Sequence, residues 1–366
     1  MENNNYSDLV RILEKKTRKE KVNGIDVIIK EIPDLDEDGV FDPRVHKILT
    51  EPETKSTKDK KEFVFNGYPV GDIRESMGWD NNDITTREVS TQYKIISGEN
   101  GDIPVRIYSP ITNVEKLPCV IFLHGGGFIG GTVDVVENPC KAIADKANAV
   151  VISVDYRLAP ENPFPKGAVD CFYVVKYAYN NPEEFNINKE KICVSGDSAG
   201  GNLAAVCSLK DRDEKTNMIK YQALIYPVVI LTDKKGEEYG WDISQYNIKN
   251  NDELIKIKAT ELSDTDMIEK LYTQGQNPED SYVSPLLAND FSNLPKTLVI
   301  NAEYDYLRVQ GEVYVKKLID AGVDARNIRY NGMDHAFIDK CGIYPQVEDC
   351  FNEIAKDIKI LWCDKG

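Results

Sequence analysis

In Ile192-Cys193-Val194-Ser195-Gly196-Asp197-Ser198-Ala199-Gly200-Gly201-Asn202-Leu203-Ala204-Ala205, an apolar run gives way to small residues and then to a helix-forming segment. A short apolar run without polar alternation marks a strand buried on both faces. Leu203 to Leu209 carries the spacing of a helix. Between the two, Gly196-Asp197-Ser198-Ala199-Gly200 fits G-x-S-x-G, a weak pattern alone that gains weight from its strand–turn–helix setting. So sharp a turn is crowded, hence the small residues around Ser198. The helix start aims unpaired N–H groups and the positive end of its dipole at that serine.

Other apolar runs have the same character. Cys119–Leu123, Ala149–Val154, Gln222–Tyr226 and Thr297–Ile300 read as buried strands, and Tyr93–Ile96 with Pro104–Tyr108 as a hairpin around Gly98–Gly101. Between them, Ala168, Cys171, Phe172, Val175 and Ala178 recur on one helical face, and Val313–Leu318 and Phe351–Leu361 read similarly. Strands alternating with helices predict an α/β fold, with a mostly parallel sheet covered by helices on both faces. Residues 229–281 break this rhythm and are long for a plain connection, so they predict a cap insertion. Residues 1–62, with mixed-charge runs at Glu14–Lys21 and Lys55–Glu62, are expected to join it as an N-terminal cap region, leaving 63–366 as the catalytic domain.

Lys and Arg number 45 against 61 Asp and Glu, a net charge of −16 over 366 residues. Such a surface disfavours nucleic acid and anionic membranes as partners. No apolar run reaches the ~18 residues of a membrane helix, and the charged N-terminus lacks the apolar core of a secretory signal. The eight cysteines show neither a C-x-x-C pair nor zinc spacing. Reduced thiols in a cytoplasmic protein, with no metal and no cofactor, are expected. A homodimer is compatible with the sequence.

The strand Cys119–Leu123 leads into His124-Gly125-Gly126-Gly127-Phe128. Consecutive glycines let backbone N–H groups turn toward an oxyanion, and this pattern is the known oxyanion loop of lipases and esterases. Gly125 and Gly126 are expected to donate, with Ala199 as the third donor. A general base needs a histidine, and the chain has His46, His124 and His335. His124 belongs to the glycine loop, and His46 reads as an ordinary surface residue of the charged N-terminal region. His335 follows the last strand, at the carboxyl end of the sheet where open α/β folds bind ligands. An acid must orient that imidazole, and Asn301-Ala302-Glu303-Tyr304-Asp305 offers two. Spacing alone leaves Glu303 and Asp305 open; either gives the order Ser, acid, His.

In combination these motifs resemble the hormone-sensitive-lipase-like family of α/β-hydrolase esterases. The match includes Asp155-Tyr156-Arg157-Leu158-Ala159-Pro160-Glu161, Tyr226-Pro227-Val228, Ser284–Ala288, Asp305–Arg308 and His335–Phe337, and covers roughly residues 90–340. It implies a triad of Ser198, Asp305 and His335, with His124, Gly127, Gly196, Asp197 and Gly200 as supporting motif positions. It implies a supporting role for Asp155–Glu161 beside the glycine loop. Val309 stands where the family usually has an acid, which implies a lost support for the Asp305 loop. The implied activity is hydrolysis of short-chain acyl esters of small molecules through an acyl-enzyme. The alternatives are a sugar-ester or aryl-amide deacetylase of the same mechanism, or a non-catalytic binder like the gibberellin receptors, which resemble this family and keep only part of the triad.

Overall fold

The computed structural model describes residues 5–51, 63–98, 101–232 and 240–362. The charge runs Lys55–Glu62 and Lys234–Glu238, and Cys363, lie outside these residues. Ten strands form one sheet: β1 (Thr17–Val22), β2 (Ile25–Lys30), β3 (Val89–Gly98), β4 (Gly101–Pro110), β5 (Leu117–Leu123), β6 (Val150–Val154), β7 (Ile187–Asp197), β8 (Ile219–Ile225), β9 (Lys296–Tyr304) and β10 (Ala325–Asp334). Their spatial order is β1-β2-β10-β9-β8-β7-β5-β6-β4-β3. From β2 to β6 all neighbours pair in parallel, while β1, β4 and β3 run antiparallel to theirs.

The apolar runs occupy the middle of this sheet. Every residue of β6 is buried, as are all of β5 except Pro118, because helices cover both faces. Helix Lys166–Asn180 buries Ala168, Cys171, Phe172, Val175 and Ala178, the face its spacing predicted. Helix Ala199–Asp213 is buried on nearly every side, which suits its small and apolar residues. β5 has β6 on one side and β7 on the other, so the chain reverses direction across the sheet at β5. The loops leaving β5 and β7 diverge there and open a crevice.

Residues 17–30, expected in the cap, belong instead to the sheet. β1 and β2 form a hairpin, and β2 pairs in parallel with β10 over Val27–Lys30. The turn is Asn23-Gly24, with φ of 49° and 87°, the left-handed pair that a tight hairpin demands. Ile25, Val27 and Ile29 face the core, whereas the charged alternation of β1 suits an edge strand.

The roof over the crevice comes from two other segments. One is 63–80, with helix Val70–Glu75, a segment expected in the catalytic domain and found instead in the roof. The other is the insertion, with helix Glu253–Thr260 and the turns Asp266–Ile268 and Glu269–Thr273. The Tyr68 hydroxyl donates to Asp266 Oδ2 at 2.6 Å and joins the two pieces. Tyr272 stacks on Phe128 with centroids 3.9 Å apart and anchors the insertion to the glycine loop. No helix among the described residues is long and apolar enough to cross a membrane.

Candidate active site

Ser198 sits between β7 and its helix with φ 53° and ψ −116°, a backbone that side chains rarely adopt. The turn is held from both sides: the Ser198 N–H donates to Ile225 O at 2.9 Å, and Asn202 N–H donates to Ser198 O at 3.1 Å. Asn202 Nδ2 also donates to Val228 O and Val283 O at 2.8 and 2.9 Å, tying the helix to the pocket wall.

His335 lies just beyond β10, and its Nε2 is 3.0 Å from Ser198 Oγ. Its Nδ1 is 2.7 Å from Asp305 Oδ2. The other Asp305 oxygen accepts the Leu307 N–H at 2.8 Å, and the carboxylate is fully buried. The loss of support implied by Val309 is made up elsewhere. Tyr246 donates its hydroxyl to Asp305 O at 2.8 Å, and the Arg308 guanidinium lies 4.3 Å from the Tyr246 ring centre. Glu303 points away: its Oε2 accepts the Gly332 N–H at 2.7 Å. Burial alone would pull the His335 pKa down, but Asp305, with Asp197 and Asp334, outweighs it and the net shift is upward.

Tyr226 and Tyr156 brace this centre. The Tyr226 ring meets His335 edge-on at 4.8 Å. Tyr156 stacks on His124 at 4.4 Å and donates its hydroxyl to His124 O at 2.7 Å. Ala159 N–H donates to Phe128 O at 3.0 Å, so Asp155–Glu161 supports the glycine loop by direct bonds. Arg74 from the roof forks onto Glu161 at 2.7 and 2.9 Å and donates to Ile129 O at 2.6 Å. His124 is buried, its Nδ1 is 2.8 Å from Gly125 O, and burial lowers its pKa to about 4, so it stays neutral. His46 is exposed on helix Pro43–Thr50 and does not line the pocket that holds Ser198.

The glycine loop departs from expectation by one residue. The N–H of Gly125, expected to face the oxyanion, donates to Asp197 Oδ1 at 2.8 Å and is already used. Gly126, at φ 120°, and Gly127, at φ 60°, line the pocket beside Ser198. Their N–H groups, and that of Ala199, find no acceptor among the described residues. Glycine types alone could not fix this register, because three glycines in a row look alike until the strand end is placed.

The pocket over Ser198 has a volume of about 470 Å³. Val228, Ile230, Leu231 and Leu307 form its inner wall, and Met77, Trp79, Leu262, Met267 and Ile268 come from the roof. Ile268 Cδ1 lies 3.4 Å from where a Cβ on Gly127 would stand, so this roof residue lies directly over the loop. No roof residue is legible in the sequence, since nothing local to 63–80 or 261–268 marks them as pocket lining.

The sheet, the strained serine and the histidine–aspartate pair define an α/β-hydrolase. Residues 120–339 match the model of the alpha/beta hydrolase fold family, and the chain belongs to that family, among its hormone-sensitive-lipase-like esterases. It is 34% identical over 303 residues to an arylesterase of Saccharolobus solfataricus, covering 80% of this chain and 92% of that protein. A carboxylesterase of Mycobacterium tuberculosis is 32% identical over 251 residues, 67% of this chain and 74% of that one. A solved arylesterase structure superposes with a TM-score of 0.69 at 32% identity, covering 87% of this chain and 99% of that one. An esterase structure from the archaeon Pyrobaculum calidifontis gives 0.64 at 36% identity, covering 76% and 87%.

Proposed function

We propose that Ser198, His335 and Asp305 act as a catalytic triad in this chain, a carboxylesterase, on short-chain acyl esters of small molecules. The observation that carries the reading is the unbroken relay Ser198 Oγ, His335 Nε2, His335 Nδ1, Asp305 Oδ2 at 3.0 and 2.7 Å. Ser198 Oγ attacks the ester carbonyl carbon while His335 Nε2 takes its proton. Asp305 keeps the second imidazole proton on Nδ1 and offsets the positive ring. The carbonyl oxygen becomes an oxyanion that the N–H groups of Gly126, Gly127 and Ala199 are free to receive. Collapse breaks the bond to the alcohol oxygen, which leaves with the proton from His335. Water, deprotonated by His335, then attacks the acyl-enzyme, and the acid leaves as Ser198 recovers its proton.

The roof supports the short-chain part of the proposal. A cavity of about 470 Å³ is at the lower end of the ~300–1,000 Å³ typical for small ligands. The same proposal places the enzyme in the cytoplasm, alone or as a homodimer. Hydrolysis of p-nitrophenyl acetate and butyrate by the purified protein tests it. Turnover by the parent and a loss on the order of 10⁶ in Ser198→Ala are expected. A tenth of the parent rate in that variant would overturn the triad.

A further inference from the structure

Asp197 and Gly125 leave neighbouring strands at the point where the chain reverses across the sheet. β7 and β5 are in register with Gly196 beside Leu123, so the next residues diverge into the serine turn and the glycine loop. One side chain spans that gap. Asp197 Oδ1 accepts the Gly125 N–H at 2.8 Å, and a Cβ on Gly125 would collide with Oδ2. Residue 125 is therefore bare because the carboxylate packs against its Cα. Asp197 is 4% exposed and has no Lys or Arg partner among the described residues. A buried carboxylate without a cation is costly unless hydrogen bonds such as that from the Gly125 N–H replace its lost hydration.

We propose that Asp197 is a positioning residue: its ionised carboxylate tethers the Gly125 N–H and so aims the two N–H groups that follow, those of Gly126 and Gly127, at the oxyanion. This rests on the triad reading above and adds to it a link between the base and the oxyanion loop. The ionisable groups facing Asp197 are Asp339 and His335 beyond β10, Tyr226 after β8, Tyr156 after β6 and Cys140 on helix Glu137–Ala147. Of these only His335 can carry a positive charge. Burial and Asp339 push the Asp197 carboxyl up to about 7, while the Gly125 N–H and His335 pull it back. When His335 takes the proton from Ser198, the new imidazolium favours the ionised carboxylate. The tether is thus strongest as the oxyanion forms. By the same interaction, charged Asp197 favours protonated His335.

Asp197→Ala and Asp197→Asn, assayed with p-nitrophenyl butyrate across pH 5–9, test this. Asp197→Ala should lower kcat about 10- to 100-fold with KM within about threefold, below the ~10²–10³ cost of deleting an oxyanion donor. Asn keeps an oxygen to accept the Gly125 N–H, so it should recover kcat to within about tenfold of the parent. It lacks the charge, so the acid limb of its kcat/KM profile should move to lower pH. An Ala variant with parental kcat, an Asn variant no better than Ala, or an Asn limb at the parental position would each overturn the proposal. If Asp197→Ala does not fold, the Asn limb decides alone. Ser198→Ala, run in parallel, separates the two readings: activity there sinks the triad, whereas an inactive Ser198→Ala beside an unaffected Asp197→Ala sinks only the tether.

Discussion

Glu303 and Asp305 stand two residues apart at the end of β9, yet only one reaches His335. Glu303 is still within the strand and turns toward the next strand, where the Gly332 N–H occupies it at 2.7 Å. Asp305 has left the strand, and its carboxylate meets Nδ1 at 2.7 Å. Asp305→Asn is expected to lower kcat by roughly 10³–10⁴ through the wrong imidazole tautomer. Glu303→Gln keeps an oxygen for Gly332 and is expected to cost far less; steady-state kinetics on both variants would expose a reversed assignment. The upward shift of His335 sets the pH response. Neutral imidazole is the working form, so kcat/KM should rise with pH through a midpoint above ~6.5, the ordinary histidine value. Stability has the opposite sign. A raised folded pKa adds stability in full below ~6.5, and that part is lost as pH rises through the folded value. A pH–rate profile flat from 5 to 8 in folded protein would contradict histidine as the base.

At the scale of elements, the elbow, the glycine loop and the central strands were legible because each is a local pattern with one physical cause. A buried parallel strand must be apolar throughout, and a crowded turn must be small. The hairpin β1–β2 is marked by Asn23-Gly24 between Val22 and Ile25, but the surrounding charges equally suit a solvated cap. Its attachment is long-range and leaves no local mark. Lys30, at the end of β2, is 1% exposed and bonds Asp349 at 2.9 Å and Glu353 at 3.0 Å on the C-terminal helix. Tyr330 donates to the same Asp349 at 2.7 Å. Lys30→Met would leave the buried Asp349 without its cation, while Glu353 would keep Arg326 at 3.2 Å. Such a loss should lower the unfolding free energy by about 3–5 kcal/mol, measured in urea. A change below about 1 kcal/mol would show that β2 is held by its apolar face alone.

For the whole molecule, charge and roof together decide which esters arrive. The net charge of −16 repels anionic surfaces. The roof turns Met77, Leu262, Met267 and Ile268 toward the pocket. Among the described roof residues the large exposed apolar side chains are Val64, Trp79 and Ile257, 59%, 47% and 58% exposed, three scattered groups and too little for docking on oil. Across p-nitrophenyl esters from C2 to C16, kcat/KM should peak between C2 and C6, and emulsified triolein should be hydrolysed poorly. A jump in rate at the oil interface would contradict this account of the roof. Every step of the proposed reaction runs through a covalent intermediate on Ser198 alone. Treating the protein with diethyl p-nitrophenyl phosphate and mapping the adduct by peptide mass spectrometry tests it most directly. One diethylphosphoryl group per chain, on the peptide carrying Ser198, with activity lost in proportion, is the predicted result. Complete inactivation with the label on any other residue, or full activity with Ser198 fully labelled, would contradict it.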